Sequence, residues 1–420
     1  MKAIAFKNSI FPKQISAEQI FMLSILLVNG GNYIYNLLLG RILGPTEFAD
    51  AAILITFLLV LSFVGMTFQI VTAKYAVLFK DEKLATFLRL ITKYASFFGI
   101  LFGAVIFFFH KELQQIFHTQ TSSMFWIFAL GLPLYFLMSV NRGLYQGKDV
   151  LNKLSLTYQS EMISRLVITI GVVLLIPAIP SSIAIAIGIV ISFIFGLFPF
   201  QKKIVKSSRV VAERLVETKS IIIFFGLTAF YELTQIIINN SDIILVKHYF
   251  DNEQAGLYAS LALIGRVVYF VSWMFVMLLL PKVIQLKKDG ENTLPILLKY
   301  VGYIIILSTL IVTFTWLFPE FVVRLMFGEQ YISISPLLWK YALATSIFAI
   351  ANIFAYYFLS IGKYIPVIVS AFLGLTQIGL IMLYHNSLEQ VVLMQVLTMV
   401  LLLVFQLGYF FFHYSREIKE

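Results

Sequence analysis

The stretch Asn29–Ala52 reads NGGNYIYNLLLGRILGPTEFADAA and decides how the rest of the chain is interpreted. Its apolar residues form two helical runs separated by the Gly-Pro pair at positions 44 and 45, a pair that interrupts helices. Asn29, Asn32 and Asn36 are spaced three and four positions apart, so they share one face of the first helix. Amide side chains are costly in lipid, so we expect this face to lie against protein or water.

A related stretch, IIINNSDIILVKHYFDNEQAGLYA, occupies Ile236–Ala259, 207 positions later. In this alignment Asn239 corresponds to Asn32, and a polar turn at Asn252 corresponds to the break at Pro45. Gly-Lys pairs also follow the fourth and the tenth apolar runs. The common order of these motifs predicts two halves of parallel topology, related by an axis along the membrane normal.

The composition predicts an all-α, polytopic membrane protein. Of the 420 residues, 60% are hydrophobic and only 12% are charged, and the mean hydropathy is +0.92, which is far above that of soluble domains. The absence of cysteine excludes disulfides, thiolate metal sites and cysteine nucleophiles. The five histidines form no zinc-binding pattern, so we expect no metal site. We find no phosphate-binding glycine loop and no catalytic dyad, and therefore expect no enzyme and no organic cofactor.

Twelve apolar runs have the length of a membrane span, about 20 residues. They lie near 19–40, 48–73, 91–109, 124–141, 156–176, 182–200, 221–246, 257–280, 299–318, 336–358, 363–384 and 389–412. The predicted organisation is a first half of six spans (1–200), a connection (201–220) and a second half of six spans (221–420). The connection is basic with interspersed apolar residues, which fits either an amphipathic helix on the inner membrane surface or a solvated tether.

The basic residues predict the orientation. With a cytoplasmic N-terminus, 24 of the 31 lysines and arginines fall in inner segments, among them Arg142 after the fourth span. The others are Arg41, Lys111, Lys247 and Arg324 in outer loops, and Arg165, Arg266 and Lys340 inside spans. Both termini are therefore expected in the cytoplasm, and the net charge of +10 is expected to meet anionic lipid rather than nucleic acid.

The seventh span carries a second polar face. Glu232, Gln235, Asn239 and Asp242 fall within an arc of about 80° on a helical projection. Amides alone could join helices to one another, but carboxylates are rarely needed for that. We expect a water-filled cavity, in which Glu232 or Asp242 is a candidate proton or sodium site.

The eighth span places an arginine among aromatic residues. One face holds Tyr258, Ala262, Arg266, Tyr269 and Trp273. A guanidinium group matches phosphate oxygens, and sugar rings stack on aromatic faces, so this face suits a ligand that is anionic at one end and sugar-like elsewhere. The alternative is that Arg266 forms an ion pair with Glu232 or Asp242 across the two halves, and both can hold in different states.

Two further basic residues need an interpretation. Glu161 and Arg165 on the fifth span have the spacing of an intrahelical ion pair, which favours a structural role over ion coupling. Lys340, near the end of the tenth span, is expected to snorkel to the surface.

Three runs resemble a known family: GRILGPTEFADAAILITF from position 40, SDIILVKHYFDNEQAGLYASLALIGRV from position 241, and FGEQYISISPLLW from position 327. They are similar to the polysaccharide-transporter (Wzx-type flippase) branch of the MOP exporter superfamily. The family commonly has glycine after the aromatic residue of the first turn, where this chain has Ala49. The resemblance covers nearly the whole chain and implies two six-helix lobes around a central V-shaped cavity.

The resemblance also implies a function. The family moves undecaprenyl-diphosphate-linked oligosaccharides, for O-antigen, lipopolysaccharide or capsule, across the bacterial inner membrane by alternating access, coupled to H⁺ or Na⁺. The implied partners are that lipid-linked oligosaccharide, membrane lipids, a polysaccharide polymerase and a chain-length regulator.

Two other functions stay open. A MATE-like multidrug antiporter has the same fold, but an acidic, apolar cavity would favour it, whereas Arg41, Arg165 and Arg266 favour a flippase. A glycan polymerase or ligase would need a larger outer loop with catalytic groups. Flippases of peptidoglycan precursors usually have fourteen spans, which disfavours that branch.

Overall fold

The chain forms helices throughout the part described by the structure, a computed structural model covering residues 17–199, 218–363 and 365–417. The helices are α1 (Ala17–Leu78), α2 (Asp81–Phe108), α3 (His110–Phe117), α4 (Ser123–Gly147), α5 (Leu151–Leu175), α6 (Ser181–Gly196), α7 (Thr218–Tyr249), α8 (Asn252–Gly265), α9 (Val267–Lys288), α10 (Leu294–Leu317), α11 (Pro319–Met326), α12 (Leu338–Ser360), α13 (Ile365–Leu383) and α14 (Leu388–Glu417). A 3₁₀ helix, Glu329–Leu337, precedes α12. These residues contain no strand, which confirms the all-α prediction. The predicted connection lies outside the described residues, except for its last three, which begin α7.

The first helix is kinked at Gly44. A straight helix of the 62 residues of α1 would be roughly 90 Å long, about three times the hydrocarbon thickness of a bilayer. Gly44 has φ 73°, in the left-handed region that glycine adopts without a Cβ penalty. Pro45 then begins the second segment, where its missing N–H breaks no helical hydrogen bond. The break is a single residue, shorter than the gap predicted between 40 and 48.

The order of elements in the first half recurs in the second. A shift of 207 positions brings the first segment of α1 onto α7, and the kink onto the junction between α7 and α8. The second segment of α1 then corresponds to α8 and α9 together. The helices α2 to α6 correspond to α10 to α14 in the same order. The two repeat-related halves expected from the sequence are therefore present in the element order.

Two short helices occupy segments that the sequence had predicted as loops. α3 follows α2, and its repeat counterpart α11 follows α10. Each has large apolar side chains on the surface of the protein, including Ile116, which is 44% exposed, and Leu325, which is 60% exposed. A short helix with an exposed apolar face is typical of the membrane interface.

Ten helices in the described part of the chain are long and apolar enough to cross a membrane, with α1 counted once. The kink divides α1 into two segments of spanning length, and α6 is a shorter apolar helix of 16 residues. The chain is thus a multi-pass membrane protein. The number of twelve spans stays a prediction.

Glycines allow close packing inside the first half. Gly143 and Gly147, one turn apart on α4, lie against the backbone carbonyl oxygens of Gln69 and Ala73 on α1. A Cβ atom at either glycine would overlap those oxygens. Membrane helices gain packing contacts in this way, because burial from lipid supplies little driving force for their association.

The two halves meet along α1, α7 and α8. The second segment of α1 runs antiparallel to α7. Asp50 pairs with Lys247 near one end, and the ring centres of Phe68 and Phe225 are 5.1 Å apart towards the other end. We call the first of these ends, which holds the kink and the α7–α8 junction, the Gly44 end. Here α8 also packs on α1, because Gly256 lies directly against the backbone oxygen of Pro45.

The chain segment between α11 and α12 inserts two aromatic rings into the kink of α1. Phe327 and Tyr331, which we call the aromatic clamp, are 2% and 0% exposed. The Tyr331 hydroxyl donates a hydrogen bond to the backbone oxygen of Gly40 at 2.7 Å. Phe48 lies 5.6 Å from Phe327, ring centre to ring centre. The clamp belongs to the second half and Gly40 to the first, so the clamp joins the halves at the Gly44 end.

Candidate functional site

Three groups of buried charged side chains lie within the helices that the structure describes. We name them the Asp242 group in the second half, the Glu161 group in the first half, and the Asp50–Lys247 pair between the halves. A charge at membrane depth is costly, about 2.5–3.5 kcal/mol on insertion scales, so each group indicates either a structural need or a function.

The Asp242 group is centred on an ion pair in which one guanidinium nitrogen lies near both carboxylate oxygens. Arg266 lies at the junction of α8 and α9, and its Nη2 is 2.8 Å and 3.1 Å from the two carboxylate oxygens of Asp242 on α7. Asp242 is 0% and Arg266 9% exposed. Arg266 Nη1 also donates to the Asn240 side-chain oxygen at 3.4 Å. Both residues belong to the second half, so the pair predicted between Arg266 and a carboxylate lies within one half.

Two buried tyrosines complete this group. The Tyr341 hydroxyl accepts from Arg266 Nε at 3.1 Å and donates to Asp242 Oδ2 at 2.8 Å. The Tyr258 hydroxyl donates to the same Oδ2 at 3.1 Å. The carboxylate thus has hydrogen-bond donors besides the arginine, and the group is neutral overall.

A small cavity of about 20 Å³ adjoins Arg266, which is room for about one water molecule. Its lining includes Asn239 on α7 and Gln395 on α14. Gln395 is 5% exposed, and its Oε1 accepts no hydrogen bond from any described residue. In this conformation the cavity is too small for a lipid headgroup.

The Glu161 group combines one carboxylate with two arginines. Arg142 Nη2 lies 2.7 Å from Glu161 Oε2, and Arg165 Nη2 pairs with Oε1. Arg142 also donates to the Thr157 hydroxyl at 3.1 Å and to its backbone oxygen at 3.0 Å. The guanidinium of Arg142 lies 4.0 Å from the centre of the Tyr158 ring, a cation–π contact.

The charges of the Glu161 group do not cancel. Within the described residues neither arginine pairs with a carboxylate other than Glu161, so the group has one positive charge in excess. The side chains of Arg142 and Arg165 are only 6% and 12% exposed. From the sequence, Arg142 was expected in an inner segment after the fourth span. In the structure α4 continues to Gly147, so Arg142 lies within the helix and is buried.

The third group joins the halves. Lys247 Nζ on α7 lies 2.7 Å from Asp50 Oδ1 on α1, and the two side chains are 2% and 1% exposed. The other carboxylate oxygen of Asp50 accepts the backbone N–H of Gln120 at 2.9 Å. Lys247 also donates to the Asn252 side chain.

The predicted asparagine face lies on the first segment of α1. Asn29 is exposed, and Asn32 and Asn36 are half-buried. Asn36 Nδ2 donates to the backbone oxygen of Asn32 at 2.8 Å, so this amide is satisfied within its own helix. Arg41 is exposed beside the kink. The structure does not bring these residues to Arg266.

The remaining predicted residues are spread along α7 and α9. Glu232 is half-buried, and no described residue forms a hydrogen bond or ion pair with it. Tyr269 stacks on Phe348, with ring centres 5.3 Å apart. Trp273 belongs to α9, but its side chain lies outside the described part of the structure.

Sequence reasoning missed several members of these groups, namely Asp50, Gln120, Arg142, Asn240 and Tyr341. Asp50 and Lys247 are 197 positions apart, and Tyr341 and Asp242 are 99 apart, so no local spacing could pair them. A carboxylate beside the Gly-Pro break was the one available signal for Asp50.

Comparison with known proteins decides the family. A sequence model described as "Polysaccharide biosynthesis protein" matches residues 38–336. The match runs from α1 into the 3₁₀ helix and spans more than two thirds of the chain. The chain belongs to this polysaccharide biosynthesis protein family. Of the members of the three charged groups, Tyr341 alone lies beyond the matched residues.

Solved structures share the fold of this polysaccharide biosynthesis protein. An inward-facing multidrug resistance MATE family transporter of the MOP superfamily has a TM-score of 0.74 at 14% identity, over 93% of this chain and 97% of that one. The lipid II flippase MurJ in an inward closed conformation also has a TM-score of 0.74 at 14% identity, over 93% of this chain and 87% of that one. An outward-facing MATE structure has a TM-score of 0.53 at 13% identity, over 95% and 96%.

The predicted MOP exporter fold is therefore confirmed. The neighbours themselves are described as multidrug transporters and a lipid II flippase. No curated protein matches the sequence.

Proposed function

We propose that this polysaccharide biosynthesis protein is a flippase that carries an oligosaccharide linked to undecaprenyl diphosphate across the bacterial inner membrane. The family match and the MOP exporter fold support a membrane transporter in polysaccharide assembly. The structural neighbour MurJ is itself described as a lipid II flippase. The transported oligosaccharide would be the repeat unit of a surface polymer, namely O-antigen, lipopolysaccharide or another polysaccharide.

The buried charge carries the proposal. The charged side chains of the Asp242 and Glu161 groups are three arginines and two carboxylates, so these two groups together have one positive charge in excess. Electrostatic attraction is far stronger at low dielectric than in water. A fixed positive charge favours a substrate that carries negative charge through the membrane, as a diphosphate does.

Arg266 is the proposed contact of the diphosphate in one state of the transport cycle. In the present conformation the Arg266 guanidinium is bound by the Asp242 carboxylate. Phosphate oxygens can replace the carboxylate, because a guanidinium binds either anion through two parallel hydrogen bonds. Asp242 would then keep the hydroxyl groups of Tyr258 and Tyr341 as donors. Tyr269 and Trp273 on α9, with Asn239, are the proposed sugar contacts, and Arg41, Arg165 and the asparagines of α1 line the rest of the path.

Glu232 is the proposed coupling residue. Asp242 and Glu161 have both carboxylate oxygens engaged by arginine in this structure, so they are weaker candidates than a carboxylate with no described partner. A half-buried, unpaired carboxylate in a membrane helix is a typical proton or sodium site. The gradient of H⁺ or Na⁺ would then supply the energy for transport.

The basic residues support the proposed orientation, with both termini in the cytoplasm and the Gly44 end facing outward. In that orientation the present structure is closed at the outer face, because the Asp50–Lys247 pair and the aromatic clamp lie there. A polymerase and a chain-length regulator are the proposed partners at that face, where the repeat units would be joined.

A multidrug antiporter is the second candidate, because a MATE transporter has the same TM-score as MurJ. A direct assay separates the two. Purified protein in proteoliposomes would receive a lipid-linked oligosaccharide on one leaflet, and a lectin would report its arrival on the other. We expect ion-gradient-driven transfer, and no efflux of a cationic dye. Dye efflux without lipid transfer would overturn the proposal.

A further inference from the structure

We propose that the Asp50–Lys247 ion pair is a latch that holds the Gly44 end closed and is broken and re-formed in each transport cycle. The proposal rests on the proposed function in one respect, namely that the two halves alternate between two arrangements. Its evidence is independent of the substrate and lies in the pair itself.

Among the described residues, this ion pair joins the two halves, whereas the other ion pairs lie within one half. Asp50 belongs to α1 and Lys247 to α7, and their side chains are 1% and 2% exposed. Two buried ions attract one another strongly, but both have lost their hydration, so removing one partner leaves an uncompensated charge. An ion pair of this kind therefore distinguishes sharply between an arrangement in which the halves touch and one in which they do not.

Each charge also has a partner in its own half. Asp50 accepts the N–H of Gln120, which follows α3 in the first half. Lys247 donates to Asn252 at the start of α8 in the second half. When the halves separate, these two hydrogen bonds stay with their own halves, while the ion pair alone is lost. Opening therefore leaves neither charge bare, which lowers the cost of breaking the pair.

The contacts around the pair also cross between the halves. His248, next to Lys247, hydrogen-bonds to the backbone oxygen of Ile116 at 2.8 Å. The aromatic clamp seals the neighbouring kink, and Gly256 lies against Pro45. Among these contacts at the Gly44 end, the Asp50–Lys247 contact is the ion pair.

A cysteine reporter tests the proposal. The protein has no cysteine, so Ala259→Cys introduces a single thiol. Ala259 is 4% exposed and lies on the face of α8 between Gly256 and Leu263, which contact Pro45 and Tyr33 of the first half. A membrane-impermeant maleimide added from outside can reach it only when the halves part at this end. Inside-out vesicles check the side.

Removing one charge should open the latch. We expect Asp50→Asn and Lys247→Met, each in the reporter background, to label at least tenfold faster than the reporter alone. The double variant Asp50→Asn with Lys247→Met also lacks the ion pair but leaves no buried charge unpaired, so it should label faster than the reporter alone, by about threefold to tenfold. Lys340→Met is the matched control, since Lys340 pairs with Glu389 inside the second half, and it should not change the rate.

The contrary results are equally distinct. Single variants that label at the control rate would overturn the latch, and so would a double variant that labels at the rate of the reporter alone. Should the single variants fail to accumulate, the exchanged pair Asp50→Lys with Lys247→Asp decides: labelling near the control rate supports the latch, and a tenfold rise overturns it. If the variants change the labelling rate as expected but the protein transports no lipid-linked oligosaccharide, the proposed function is wrong and the latch is still supported.

Discussion

The hydroxyl of Tyr341 lies between Arg266 and Asp242, accepting from the arginine Nε at 3.1 Å and donating to the carboxylate at 2.8 Å. This one oxygen therefore hydrogen-bonds to both charged groups. A tyrosine in this position keeps Asp242 supplied with a donor whether or not the arginine is present.

Substitution of Arg266 should therefore separate transport from folding. We expect Arg266→Ala to abolish surface polymer, and Arg266→Lys to restore it only in part, because an ammonium lacks the guanidinium fork. Breaking a buried pair can cost 3–5 kcal/mol, so membrane protein level is measured in parallel. The double variant Arg266→Met with Asp242→Asn removes both charges and should accumulate normally, yet not transport. Normal polymer in a well-expressed Arg266→Ala strain would make the residue structural.

Loss of the Tyr341 hydroxyl should weaken the fold. Tyr341→Phe deprives both charges of a hydrogen bond, and we expect the protein in detergent to lose about 1–3 kcal/mol of stability. Tyr258→Phe is the matched comparison, because Tyr258 donates to the carboxylate alone, and its effect should be smaller. Thermal unfolding followed by tryptophan fluorescence measures both. An equal loss in the two variants would contradict the bridging role of Tyr341.

Glu232 and Glu161 should respond differently to neutralisation. We expect Glu232→Gln to abolish gradient-driven transport while the protein level stays normal, because no described residue pairs with Glu232. Glu161→Gln should instead lower the protein level, because it leaves Arg142 and Arg165 buried without a carboxylate. Immunoblots and the proteoliposome assay measure the two properties. Full gradient-driven transport by Glu232→Gln would remove Glu232 from the coupling mechanism.

The orientation can be read from two single cysteines in this cysteine-free chain. Ser387→Cys, at an exposed position between α13 and α14, should label only from outside the cell. Ser207→Cys, in the predicted connection, should label only from inside. The basic residues predict this arrangement. The reverse pattern at either position would contradict the predicted topology.

Gly44 should tolerate no side chain. Its φ of 73° disfavours any Cβ, and a Cβ there would lie 2.5 Å from Gln330 Oε1. We expect Gly44→Ala to cost about 1–3 kcal/mol of stability. Gly30→Ala is the matched control on the same helix, because nothing lies within 4 Å of a Cβ there, and it should be neutral or slightly stabilising. Equal stability of the two variants would show that the kink can relax.

The fold could be predicted from the sequence because the patterns that indicate it are local. Apolar runs of spanning length predict membrane helices, and the stretch around Pro45 recurring at Asn252 predicts two related halves. Short amphipathic helices such as α3 were missed, because eight residues are fewer than a span and resemble a polar loop.

The candidate site was less accessible, since its contacts join distant residues. A polar face containing Asp242 and an arginine at 266 could be recognised separately, but not that Tyr341 links them. Arg142 was assigned to a loop because hydropathy places a basic residue at the edge of an apolar run. Its burial depends on Glu161, which lies on another helix.

The aromatic clamp has a consequence for biosynthesis. Tyr331 binds the backbone of Gly40 across 291 positions of sequence, so the kink of α1 stays without this partner until the 3₁₀ helix after α11 has been made. Ribosomes add roughly 5–20 residues per second, which separates the two events by at least about 15 seconds. During that interval the first half lacks the two aromatic rings that pack at Gly40 and Phe48, and only synthesis of the second half supplies them.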